Sequence, residues 1–160
     1  MKQLEAHSVT IGENTFYIRP LPAFKAANMS GELASLVLPI LTGLAPMLGG
    51  ASEDKGLFDV DLEAAAPTIA EAFTSLSGDK LEVILKHLLI AGKNISVETP
   101  DSDKAVLLTE DLANELFCAE VQDMFMLAFE VIRTNYNGFF KKLTARFGPV
   151  TQRMTQAAAR

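Results

Sequence analysis

Catalysis needs side chains that hand over protons or electron pairs, and the 160 residues of this chain hold few that stand together. The two imidazoles, His7 and His87, are far apart in sequence, so neither has a nucleophile spaced to use it as a base. His87 lies between Lys86 and Leu88 in a run read as helix, where a packed or half-exposed histidine is the expectation. With one cysteine, Cys118, and two unclustered histidines, no spacing for zinc or a soft metal exists. Asp101-Ser102-Asp103 begins like a calcium loop but lacks the glycine at the sixth position and the glutamate at the twelfth, so it reads as a turn. Neither GxxxxGK[ST] nor GxGxxG occurs to cradle a phosphate. The carboxylates of Glu53, Asp54, Asp59, Asp61 and Glu63 read as solvated charge. The expectation is a protein that is not an enzyme and takes no cofactor and no metal.

The elements follow from periodicity. Val9 to Ile11 and Thr15 to Ile18 are β-rich runs around Gly12-Glu13-Asn14, which predicts an N-terminal hairpin ended by Pro20 and Pro22. Helix is expected from Ala23 to Met29, with Ser30 capping a second helix through Leu33 and Leu38. Gly49 to Lys55 is a polar loop too short to divide domains. Helix returns from Asp59 to Leu76 with Pro67 in a first turn, breaks at Ser77-Gly78-Asp79, and resumes from Leu81 to Ala91 with Leu81, Ile84, Leu85, Leu88 and Leu89 on one face. Ile95 to Thr99 alternates as a strand and pairs with Ala105 to Leu108 across the turn at Pro100 to Asp103. Thr109 before Glu110 and Asp111 is a helix start, a hydroxyl cap followed by two carboxylates at the positive end of the dipole.

The last helix is the most apolar. Phe117, Val121, Met124, Phe125, Ala128, Val131 and Ile132 recur at helical spacing, and Met126, Leu127 and Phe129 widen the stripe until the helix should be buried. Glu120, Asp123, Glu130 and Arg133 are expected to mark a narrow wet edge, and Cys118 to be a buried small hydrophobe. Asn135, Asn137 and Gly138 should end the helix, with Phe139 and Phe140 folding back onto the core. The fold class is α+β: a predominantly helical single domain, 1–147, whose small antiparallel sheet is formed by the N-terminal hairpin and a central strand pair. Residues 148–160 read as a basic tail, disordered or helical.

At 49% apolar and 21% charged residues the composition is that of a globular chain. Residues 1–136 carry 9 basic and 20 acidic side chains, whereas 137–160 carry 5 basic and none acidic. An acidic body repels nucleic acid, and Lys141, Lys142, Arg146, Arg153 and Arg160 form no recognition motif, so no nucleic-acid partner is expected. The single cysteine excludes an internal disulfide and suits a reducing cytoplasm, and MKQLEAHSV has no apolar core of signal-peptide length. Leu33 to Leu48 is uncharged, but Pro39, Gly43 and Pro46 interrupt it and it is short for a bilayer, so no membrane span is expected.

Four segments, TFYIRPLPAFKAANMSGELA, the apolar run after it, the strand following LLIAGKNISV, and LAFEVIRTNYNGFFKK, together resemble the tail assembly chaperones of tailed bacteriophages, particularly those of Gram-positive hosts and their prophages. The resemblance spans most of the chain and rests on the order of the segments, none of which is a catalytic signature. It implies a small protein of the host cytoplasm, absent from the finished virion, that keeps the long tape measure protein soluble and recruits tail tube subunits. The alternative is a structural tail completion or connector component of the virion. Leu33 to Leu48 is more apolar than one amphipathic helix needs, and Met side chains repack around varied partners. Leu44, Met47, Leu48, Met124, Phe139 and Phe140 are therefore the expected partner-binding residues, for the tape measure protein, the major tail tube protein or a second copy in a homo-oligomer.

Overall fold

A two-residue turn sets the first register of the structure, a computed structural model that describes residues 5–44 and 61–136. Strands β1 (His7–Ile11) and β2 (Asn14–Ile18) pair antiparallel, with Ile11 opposite Asn14 and Val9 opposite Phe16. Gly12 supplies the positive φ of the turn, +62°, in the first of its two positions, where glycine lets the backbone match the twist of the strands. β3 (Ile95–Glu98) joins β2 antiparallel, and β4 (Val106–Leu107) joins β3, giving the order β1-β2-β3-β4. Alternation puts Ile11, Phe16, Ile18, Ile95 and Val97 into the core. Thr10, Thr15, Tyr17 and Glu98 take the other face, where the Tyr17 hydroxyl donates to Glu98 Oε2 at 3.0 Å. The sheet expected from the two hairpin regions is present.

The helices pack on the inner face. α1 (Ala23–Leu44) runs without interruption, α2 (Leu62–Thr74) packs against it, and α3 (Gly78–Lys86) continues into a π turn, His87–Ala91. α4 (Glu110–Leu116) is short, and α5 occupies 121–136 of the described chain. As its hydroxyl and carboxylates suggested, α4 starts on Thr109, whose side chain accepts from the Leu112 N–H at 3.3 Å. Two aromatic stacks tie the layers together: Phe16 on Phe117, with centroids 5.9 Å apart, and Phe73 on Phe125, 5.1 Å apart.

Three expectations about helix ends fail for related reasons. Ser30 starts no helix; its hydroxyl donates to the Ala27 carbonyl at 2.7 Å inside α1, so the backbone has no cause to break there. Pro39 also lies inside α1, and Pro67 lies inside α2 rather than in its first turn, which is set by the Asp61 side chain accepting from the Glu63 N–H. Both prolines are exposed, as are Ser35 and Glu63, whose carbonyls lose their usual donors, so the lost bonds fall on exposed residues. Within the apolar Leu33 to Leu48 run, Leu33, Leu36 and Val37 are buried in the core. No described helix is long and apolar enough to cross a membrane.

The long apolar helix is also redrawn. Phe117 closes α4, and Ala119, at φ +64°, turns the chain before α5 begins. Cys118 sits in that turn and is exposed, and Val121 is exposed at the start of α5 instead of lying on its buried stripe. From Phe125 to Ile132 every residue is buried, and that run includes Glu130, which has 0% exposure and is no part of a wet edge. Its Oε1 accepts from Arg133 Nη2, while its Oε2 faces His7 Nε2 of β1 at 3.5 Å. Asn135 does not end the helix either. Its Oδ1 accepts from the Leu21 N–H at 2.6 Å and its Nδ2 donates to the Val131 carbonyl at 2.8 Å, stapling the β2–α1 connection to α5. The same connection is held to β3 by the Asn94 side chain donating to the Arg19 carbonyl at 2.9 Å. Gly92 lies beside it, and a Cβ there would force the Leu21 and Asn94 side chains to shift. Asn137, Gly138 and the double Phe lie outside the described residues.

Phe129 is 1% exposed, so Phe129→Ala should cost about 3–5 kcal/mol in denaturant unfolding. A loss within the surface range, below about 1 kcal/mol, would place the ring outside the core. Tyr136 gives a pH test. It is 4% exposed, its hydroxyl donates to the Ala26 carbonyl at 2.7 Å, and burial pushes its pKa up to about 12. An unfolded tyrosine ionises near pH 10, so the contribution of Tyr136 is fully present below about pH 10 and is lost as pH rises from about 10 to about 12. Tyr136→Phe should be less stable by about 1 kcal/mol near pH 9, the value of one hydrogen bond, and the gap to the parent should close as pH rises.

Candidate protein-docking groove

A helix that packs loosely leaves space beside it, and α4 is such a helix. It has seven residues and none is buried; it touches the core through the partly buried Leu112, Ala113 and Leu116. Between α4 and α3 a groove of about 280 Å³ stays open. Leu81, Leu85 and Leu89, spaced one turn apart on α3, form one apolar wall together with Ile90. Ala113 of α4 lines the other, and Met124, from the first turn of α5, reaches the space from below. The π turn places one extra residue in the helical repeat at His87–Ala91, and Ile90 joins the lining there beside Leu89.

The mouth is charged. Lys86 Nζ lies 2.9 Å from Glu82 Oε1 on its own helix and 3.1 Å from Glu110 Oε1 on α4, so one ammonium spans the opening. Hydrogen bonds to Glu82 and then Glu110 raise the Lys86 pKa, and the bond to Lys86 lowers that of Glu82. These side chains are solvated, and the bridge fixes position more than it adds stability. From Glu110 to Asp123 the chain carries Glu110, Asp111, Glu115, Glu120 and Asp123 with no lysine or arginine; on α4 the groove itself is lined by Glu110, Ala113 and Asn114, and the exposed Asp111 and Glu115 are their neighbours in sequence.

Of the six partner-binding residues expected from sequence, Met124 lines this groove. Leu44 is the last residue of α1. Met47, Leu48, Phe139 and Phe140 lie outside the described residues. Met29 and Met126, also candidates for adaptable contact, are buried and fill the core. Sequence reasoning missed the α3 and α4 residues of the groove. The stripe expected as core is core, with Ile84, Leu85, Leu88 and Leu89 buried and Leu81 packed against them; that Leu81, Leu85 and Leu89 also line a groove is not legible, because nothing local to either helix says how far apart they stand.

Two other concave regions are built differently. One, between α1 and α3, is lined by Glu32, Ser35, Leu76, Asp79, Lys80, Val83 and Ile84. The other lies between the start of α1 and the end of the described α5; Phe24, in the first turn of α1, is 93% exposed. His87 is half-exposed with Nδ1 4.0 Å from Glu32 Oε2, a packed surface histidine as expected. Among the described residues no three His, Cys, Asp or Glu side chains gather as a metal site would require.

The model of a family described as phage tail assembly chaperone protein, TAC, matches residues 12–148. No curated protein and no solved structure matches. The matched span takes in every described element from the hairpin turn through α5, with the groove inside it. The chain therefore belongs to the phage tail assembly chaperone family.

Proposed function

We propose that this protein binds the tape measure protein in the host cytoplasm, keeps it soluble, and brings tail tube subunits to it during tail morphogenesis. It acts as a stoichiometric binding partner and not as a catalyst. The observation that carries this reading is an apolar groove, open at the surface, in a chain of the tail assembly chaperone family. A tape measure chain in excess of its tube exposes helices whose apolar faces would otherwise aggregate. A groove walled by leucines and reached by a methionine shelters one such face in the helix-in-groove mode, and the flexible thioether fits more than one sequence. Leu44, Met47, Leu48, Phe139 and Phe140 are proposed as further contacts to client or second copy.

Co-expression tests the reading. Tape measure fragments made alone should pellet, and with this chain present they should stay in the supernatant and co-elute with it. Equal insolubility with and without the chain would refute a holding role. Charged substitutions Met47→Glu and Leu48→Glu should abolish that co-elution, or dissociate an oligomer, while helical content and melting temperature stay nearly unchanged. Mass spectrometry of purified particles should not find the protein, whereas a structural tail component would be detected there.

A further inference from the structure

We propose that the groove between α3 and α4 selects a client helix that carries lysine or arginine beside its apolar stripe. The proposal rests on the chaperone reading and names the chemistry of the partner at its site. Leu81, Leu85 and Leu89 extend over two helical turns, on the order of 12 Å, which matches apolar side chains spaced i, i+4, i+7 on a facing helix. The flank of the occupant is chosen by charge. Asp111 and Glu115 are exposed on α4 next to the lining residues Glu110 and Asn114, α4 carries no basic residue, and Lys86 already faces two carboxylates, Glu82 and Glu110. An acidic flank would meet repulsion along α4, and a basic one attraction. The body of a second copy is disfavoured for the same reason, since residues 1–136 hold 20 acidic against 9 basic side chains.

Two synthetic helical peptides with one leucine stripe, flanked in one by lysines and in the other by glutamates, test this against the full chain by fluorescence anisotropy. The lysine peptide should bind at least about tenfold more tightly at low salt, and the preference should shrink at about 1 M salt, where charges are screened beyond a few ångströms. Ala113→Met, which fills the groove without adding charge, should weaken both peptides. Asn114→Lys with Glu115→Lys, two exposed positions, should abolish or reverse the preference while the fold is kept. Equal binding of both peptides, binding of neither, or a preference unchanged by the charge variant would overturn the proposal. Should the parent chain still hold tape measure fragments soluble in any of those cases, the chaperone reading survives and the groove assignment alone falls. A parent chain that fails to hold them removes the reading and the proposal together.

Discussion

A helix buried on every side cannot leave its polar groups to water, and that constraint organises this domain. In α5 the run from Phe125 to Ile132 is wholly buried and contains a carboxylate, Glu130. A charge in that position is tolerated only with partners, and Arg133 on the next turn bonds one oxygen while His7 of the edge strand faces the other. One turn further on, Asn135 uses its carbonyl oxygen to hold the Leu21 N–H and its amide to hold the Val131 carbonyl. The entry to α1 is thus fixed to α5 by hydrogen bonds of defined geometry, whereas His7 approaches Glu130 at 3.5 Å without a hydrogen bond; the Phe73–Phe125 stack and the burial of Phe129 supply the non-directional part of the adhesion.

The groove is the other side of that arrangement. Since α5 is held by the sheet, by α2 and by the Arg19–Leu21 connection, α4 is left with a peripheral place, tied by a cap at Thr109 and a left-handed turn at Ala119. It shields the core without being swallowed by it. The Lys86 bridge to Glu110 spans the mouth between α3 and α4, a solvated pair of little energetic weight. An apolar space kept open at the surface costs stability in a domain whose net stability is small. Such a cost is understandable in a family whose members handle other chains during assembly.

Much of the fold is legible locally. The β1–β2 hairpin follows from alternation around Gly12, the β3–β4 pair from alternation around a Pro-Asp turn, and the α4 start from Thr109-Glu110-Asp111. Of the groove, the apolar character of Met124 and of the α3 leucines is legible, and their meeting around one space is not. The misread positions share one cause. Pro39 and Pro67 look like breaks because the local rule counts a lost hydrogen bond, and whether that loss matters depends on which side of the helix faces water. Cys118 and Val121 look buried because the apolar pattern runs through them, but Ala119 turns the chain and moves both to the surface.

The sequence by itself determined the class of element at most positions, the sheet's membership, the burial of the last helix and the likeness to tail assembly chaperones, because each is written in short-range spacing or in the order of segments. Only the tertiary structure decided that Glu130 lies inside the core, that Asn135 staples two elements instead of ending one, and that α3 and α4 stand apart around Met124. Those outcomes depend on partners distant in sequence, His7 for Glu130, Leu21 for Asn135 and Glu110 for Lys86. No window of neighbouring residues contains both members of such a pair, so their energies enter only when the chain has closed on itself.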